Sequence, residues 1–399
     1  MPGPLAGVRI LDLSSVVSGP LAAAHLVDQG ADVIKVETLV GDISRRSRQK
    51  ISENGQFSAM FVAVNRGKRS IALDLKSPDG LKIVKSLAEK ADVLLQNFRP
   101  GAMERLGLGE ETLRASNQRL IYVSISGVGD GGPYVKKRIY DPMIQGLSGL
   151  ADIQSNQETQ RPQMIRTIVA DKTTSIFTAQ AITAALYARE KTGQGQHIRI
   201  SLLDTMVSYL WPEGMMQYAV VGREKTASST NAGPDLVFEA LDGFLTVGTI
   251  TDSEWQGFCT AVERPDLLTD ERFHTAERRS LNQVARIQMM GEILKTRSRD
   301  EWLNRLDRAD VPCAPVLRRN EILENPQVIA SNLVQSLQQP SVGEMRQARP
   351  AALFSNTPAA IRGPAPGLGE HTDAILQEIG YSAEAIADLK ARSVVAKKS

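Results

Sequence analysis

The chain has 399 residues, 42% of them hydrophobic and 23% charged, with a formal net charge of +2. That is ordinary for a globular protein and too long for a single ordinary core, so two domains, or one with a large insertion, are expected. So small a charge, with no basic block interleaved with aromatics, argues against nucleic-acid binding. Cys259 and Cys313 lie far apart, which excludes a disulfide framework and points to a reducing compartment. His25, His197, His274 and His371 show no i, i+4 pair, so no His-based metal site is expected. The start, MPGPLAGVRILDL, lacks a basic region before a long apolar core, and no apolar run is long enough to cross a bilayer. A cytoplasmic protein is expected.

In chain order, the first third alternates strands and helices. Val8–Leu13 reads as a short buried strand and Ser14–Pro20 as a loop. Leu21–Gln29 has a helical pattern that Gly30 stops. Ala31–Glu37 and Ser70–Leu75 are further strands. Ser77-Pro78-Asp79 starts a helix that runs to about Lys90, with Ser as cap and Pro in the first turn. Asp92–Asn97 and Leu120–Ile125 are strands again. This alternation predicts a parallel sheet covered on both faces, with ligands beyond the carboxyl ends of its strands. The loops to watch are Ser14–Pro20, Thr38–Arg46, Asn97–Gly101 and the glycine-dense Ser126–Pro133.

The stretch from Asp171 to Met206 is the most informative. An acid opens a long helix rich in Ala and Thr, closing near Arg189-Glu190, and the turn Thr192-Gly193-Gln194-Gly195 leads into a strand. Two readings stand side by side. Asp171 caps the helix, as Asp often does. Alternatively, the helix N-terminus holds its carboxylate ionised, ready to attack a reactive acyl group. After Ser201–Met206 comes a helical stretch with Trp211, and Lys225–Pro234 reads as a linker. From Asp235 the pattern changes: Phe244–Ile250 is an alternating strand, Glu254–Val262 and Asn282–Thr296 are amphipathic helices, and Val311–Leu317 is a proline-broken edge strand. Leu333–Pro340 reads as extended, Glu370–Glu378 and Ala383–Ala391 as helical, and the AKKS tail as frayed. The expected organisation is α/β: a large Rossmann-like parallel-sheet domain whose first part is 1–200, a linker at 201–234, a smaller α+β domain at 235–325, and a return to the large domain at 326–399.

Several of these stretches together resemble the family III CoA-transferases. They are PLAGVRILDLSSVVSGP, GADVIKVE with Gly41-Asp42, NRGKRSIALDLKSPDG, ADVLLQNFRPGAMERLGLG, LIYVSISGVGDGGPY, IYDPMIQGLSGL, the Asp171 segment, DVPCAPVL and LGEHTDAILQEIGYS. Their shared order and spacing carry the resemblance across nearly the whole chain. It implies reversible transfer of CoA from an acyl-CoA to a free carboxylic acid through anhydride and aspartyl-CoA thioester intermediates. The position matching the family's nucleophile is Asp171. The resemblance also implies an interlinked homodimer, CoA as substrate and no permanently bound cofactor or metal. It places the nucleotide of CoA near Asn97, Phe98 and Arg99, along the strand matching Leu73–Lys76, and at Arg105. It places the pantetheine arm along Val17 and Ser18 and past the segment from Arg138 through Tyr140 to Asp141.

Two departures stand out. Formyl-CoA transferases carry an arginine immediately after the acid matching Glu37, where this chain has Thr38. They also carry a glycine run that closes over the aspartate, where this chain has Asn231-Ala232-Gly233-Pro234. The first weakens one phosphate contact and shifts that load to other cations; the second argues against that lid and against the formyl/oxalyl pair. The nearest rival, an α-methylacyl-CoA racemase, has a histidine where this chain has Tyr140. An unperturbed tyrosine, with a pKa of about 10, is poorly matched to proton exchange at neutral pH. A nicotinamide-dependent oxidoreductase would use Glu37 as a ribose-binding acid, but the loop Ser14–Pro20 lacks the G-x-G-x-x-G fingerprint.

Overall fold

Apolar runs in the first half of the chain become the strands of one parallel sheet. They are β1 (Arg9–Asp12), β2 (Asp32–Glu37), β3 (Arg69–Ala72), β4 (Val93–Gln96), β5 (Ile121–Ser126) and β6 (His197–Ser201). The strands lie in the order β3-β2-β1-β4-β5-β6, and every pairing is parallel. This is a computed structural model, and it describes residues 2–396 apart from 48–49, 54, 157–158 and 223–234. The expected linker at 225–234, the lid position at 231–234 and the last three residues of the tail lie outside the described residues. The chain divides into two units, Met1–Ser229 with Val334–Ser399, and Thr230–Leu333.

Successive strand residues face opposite sides of the sheet, and both sides are buried, which is why these strands read as continuous apolar runs. Ile10, Val33, Val93 and Val123 pack on one side with Ala22, Ala23, Leu26, Ala179, Ile182 and Met206. These last come from the Ser18–Asp28, Val169–Thr192 and Leu202–Leu210 helices. Leu11, Ile34, Leu94 and Tyr122 pack on the other side with Ile83, Leu87, Leu113, Ile375, Leu376, Ile386 and Leu389. The Thr372–Glu378 and Ala383–Ala391 helices thus belong to the large sheet's core. A hairpin of β10 (Val334–Gln339) and β11 (Gly343–Ala348) precedes them.

The helix expected from Leu21 begins at Ser18. Pro20 is its third residue, a position whose N–H has no partner inside the helix, so the Gly-Pro pair starts the helix instead of ending the loop. Asp141–Leu147 is a further helix, with Pro142 in its first turn; its seven residues make only about two turns, too few for periodicity to show.

The second unit holds an antiparallel sheet in the order β7 (Val237–Glu239), β8 (Phe244–Val247), β9 (Cys313–Pro315). The proline-containing β9 lies at the edge, where a missing N–H costs least. Its core is built on Trp255, Phe258, Phe273, Met290 and Trp302.

Candidate active site

Strand order reverses between β1 and β4: the chain proceeds outward through β2 and β3 on one side and through β5 and β6 on the other. The loops beyond these two strands diverge and leave a crevice. A cavity of about 330 Å³ lies there. It is lined by residues 15–18 after β1, 97–100 after β4, 125–129 at the end of β5, then 135, 137–140, Asp171 and Leu202. Asn97 ties the two diverging loops together: its Oδ1 accepts the Ser15 N–H at 2.9 Å and its Nδ2 donates to the Ser15 carbonyl at 2.8 Å.

Asp171 is the acid at this cavity, half-buried in the first turn of the Val169–Thr192 helix. The cap reading fails: the cap position is Ile168, which makes no side-chain cap bond. The carboxylate of Asp171 instead turns to the start of another helix, where the Ser18 hydroxyl donates to it. Burial, joined by the negative charge of Asp141, pushes the Asp171 carboxyl above the ordinary value against the lowering effect of Ser18.

Asp141 plays the capping part. It is buried, and its Oδ2 accepts the Asp171 backbone N–H at 3.1 Å while its Oδ1 accepts from Gln145 at 2.6 Å. Gln145, one turn on, latches the segment entering the long helix. Its Oε1 accepts the Ile165 N–H at 2.9 Å, and its Nε2 donates to the carbonyls of Ile165 and Thr167. The DPMIQ stretch therefore sets the position of Asp171 from outside its own helix.

Beneath the first loop lies a buried cluster of three ion pairs: Lys35 with Asp42 at 3.0 Å, Lys68 with Asp12 at 2.8 Å, and Arg45 with Glu37 at 2.7 Å. Buried charges persist only when paired and hydrogen-bonded. Burial alone would raise the carboxyl of Asp42, but the charge of Lys35 and the bonds from Ser44 outweigh it and hold it below the ordinary range. Lys68, buried and near a second ammonium, is pushed down to about 8. Glu37 is fully engaged. Two Arg45 nitrogens, the Asp42 N–H and the Ser70 hydroxyl all donate to it, which leaves no oxygen for a ribose. The cluster went unread in the sequence, although a lysine inside the apolar run ADVIKVE is the signal that could have found it.

Of the residues expected to contact CoA, Val17, Ser18, Asn97, Phe98, Arg99, Arg138 and Tyr140 line the cavity with Asp171. Leu73, Lys76, Arg105 and Asp141 do not. The side chain of Leu73 is fully buried in the sheet's core, because its chain pairs there with Val395 near the C-terminus. Lys76 and Arg105 are exposed away from the lining, and Asp141 is consumed by the bonds described above. Gly19 is required by close approach: a Cβ there would fall 2.3 Å from the Oγ of Ser14.

Residues 5–372 match the family described as CoA-transferase family III. The chain belongs to CoA-transferase family III. It is 35% identical over 385 residues to a succinate–glutarate CoA-transferase of Agrobacterium fabrum, covering 94% of this chain and 96% of that one. It is 33% identical over 399 residues to a succinyl-CoA:glutarate CoA-transferase of Homo sapiens, covering 98% and 90%. Among solved structures, a CAIB/BAIF family protein from Brucella suis is similar with a TM-score of 0.83 at 33% identity, covering 95% of this chain and all of that one. The protein is thus a CoA-transferase, an enzyme whose relatives move CoA between acids. Among the described residues, no helix is long and apolar enough to cross a membrane.

Proposed function

We propose that this CoA-transferase works through covalent intermediates on Asp171. An Oδ of Asp171 attacks the thioester carbonyl of the donor acyl-CoA, the carbon–sulfur bond breaks, and a mixed anhydride and CoA thiolate result. The thiolate then attacks the aspartyl carbonyl, giving an aspartyl-CoA thioester and releasing the donor acid as its carboxylate. The acceptor carboxylate attacks that thioester and the two steps run in reverse, delivering the new acyl-CoA and restoring Asp171. Exchange of thioester for anhydride keeps the acyl group activated, so one difficult transfer is divided into easier ones.

The observation that carries this reading is the placement of the Asp171 carboxylate. It lies at the switch-point cavity, partly desolvated, with its Asp141 neighbour turned to the backbone. A carboxylate stripped of water is a stronger nucleophile than a solvated one. Arg99, Lys137 and Arg138 are exposed at the lining and form no ion pair among the described residues. Such cations suit the phosphates of CoA. For the acids we propose short dicarboxylates of the succinate and glutarate kind, on which the two relatives act by name.

A homodimer completes the proposal. Ile176 and Tyr187 on the long helix, with Tyr209 and Trp211, are apolar side chains left substantially exposed on the single chain, as expected of a surface that a partner copy covers. Both cysteines are free thiols, which supports a cytoplasmic setting.

The test is capture of the adduct. After incubation with succinyl-CoA and hydroxylamine, a mass shift on the peptide holding Asp171 is expected. Transfer from succinyl-CoA to glutarate that continues in an Asp171→Ala variant would overturn the reading.

A further inference from the structure

Val16 has a φ of 70°. An L-residue branched at Cβ adopts that left-handed backbone only when its surroundings impose it. Three consecutive residues are tied from outside. The Ser14 N–H bonds the Asp12 carboxylate at 3.0 Å, and the Ser14 carbonyl accepts from the Lys35 ammonium at 3.0 Å. Ser15 is clamped by Asn97 through both its N–H and its carbonyl. The Val16 N–H lies 3.3 Å from each oxygen of the Asp42 carboxylate. Lys35 joins the two outer ties, because the ammonium that binds the Ser14 carbonyl also pairs with Asp42. Lys35 and Asp42 are buried and do not line the cavity. Two residues beyond Val16 stands Ser18, whose hydroxyl meets Asp171.

We infer that Asp42 and Lys35 are positioning residues for the transfer: their ion pair forces Val16 into its left-handed turn, and the turn brings the start of the Ser18–Asp28 helix onto the Asp171 carboxylate. This rests on the reading of Asp171 as nucleophile. Without the pair, Val16 relaxes to negative φ, the chain enters the helix from another direction, and Ser18 leaves Asp171. A glycine at position 16 would hold the same turn unaided. Valine holds it only while the pair is intact.

That contrast supplies the experiment, a double-mutant cycle on the full chain with succinyl-CoA and glutarate as the substrates. In the parent background Asp42→Ala is expected to lower kcat by about thirtyfold or more, and in the Val16→Gly background by less than about threefold. Lys35→Met should follow the same pattern. Within each background, substitution of Asp42 or Lys35 should change the dissociation constant for CoA, read by calorimetry, by less than about threefold, since neither residue lines the cavity. Should Asp42→Ala not fold, Asp42→Asn supplies the same ratio. Equal losses in the two backgrounds, or a loss of CoA binding matching the loss of kcat, would overturn the inference. Retained transfer in Asp171→Ala would instead overturn the underlying mechanism, whatever the cycle gives.

Discussion

The turn after β1 and the segment Val135–Tyr140 line the same cavity and are built by opposite rules. Every residue from Ser14 to Val16 is bonded to a side chain outside those three residues, and the charges beneath are buried and paired. Lys137 and Arg138 are exposed, and the Lys137 ammonium rests 4.1 Å over the ring of Tyr134. The first wall is fixed before any ligand arrives, which suits the proposed attack by Asp171, because a small misplacement of reacting groups costs rate steeply. The second wall leaves its cations exposed, which suits the proposed binding of a long, flexible coenzyme. Residues of the first wall should therefore act on kcat and those of the second on KM.

The largest expected effect falls on the proposed nucleophile. Asp171→Ala should reduce transfer by about 1,000-fold or more in a coupled CoA assay while leaving the dissociation constant for CoA within about threefold. Next is the rigid wall itself. Gly19→Ala places a methyl 2.3 Å from an Oγ that Asp12 already holds, so kcat should fall by about 10- to 100-fold, with a lower melting temperature; a variant of parental activity would show the turn to be pliable.

Ser18→Ala tests the contact between turn and Asp171. The Ser18 bond favours the ionised form of an acid whose carboxyl is already raised by burial. Its removal raises that carboxyl further, so the acid limb of kcat/KM should move to higher pH, with kcat down about tenfold at neutral pH. A pH profile that stays in place would separate Ser18 from the ionisation of Asp171. The smallest effects belong to the second wall. Arg99→Gln and Arg138→Gln should each raise KM for the acyl-CoA about three- to tenfold with kcat unchanged, the factor shrinking as salt is added. A fall in kcat instead would show that these cations also order the reacting end.

Much of the scaffold was legible because it is local. Alternating apolar runs marked the strands, Ser77-Pro78 marked a helix start, and Ala383–Ala391 is a helix at the residues expected. The strand alternation pointed to the loops Ser14–Pro20, Asn97–Gly101 and Ser126–Pro133, which contribute to the cavity lining, and also to Thr38–Arg46, which does not; the family resemblance singled out Asp171, which lines the cavity with the first three. The partners were not legible. Ser18 and Asp171 are 153 residues apart in sequence, and no periodicity links them. The acid expected to cap its own helix is served by Asp141, and Leu73 is buried by a C-terminal bridge that a strand pattern cannot announce.

By itself the amino-acid order determined the strands of the large sheet and several of the longer helices, and that a parallel sheet would leave its loops at one end, since these follow from side-chain period and backbone preference over a few residues. Only the tertiary structure decided which loops meet there, that Lys35 and Asp42 lie beneath Val16, and that the ionisation of Asp171 is governed by burial, Asp141 and Ser18. Those outcomes depend on distance and desolvation between residues remote in the chain, and the reversal of strand order between β1 and β4 sets both at once.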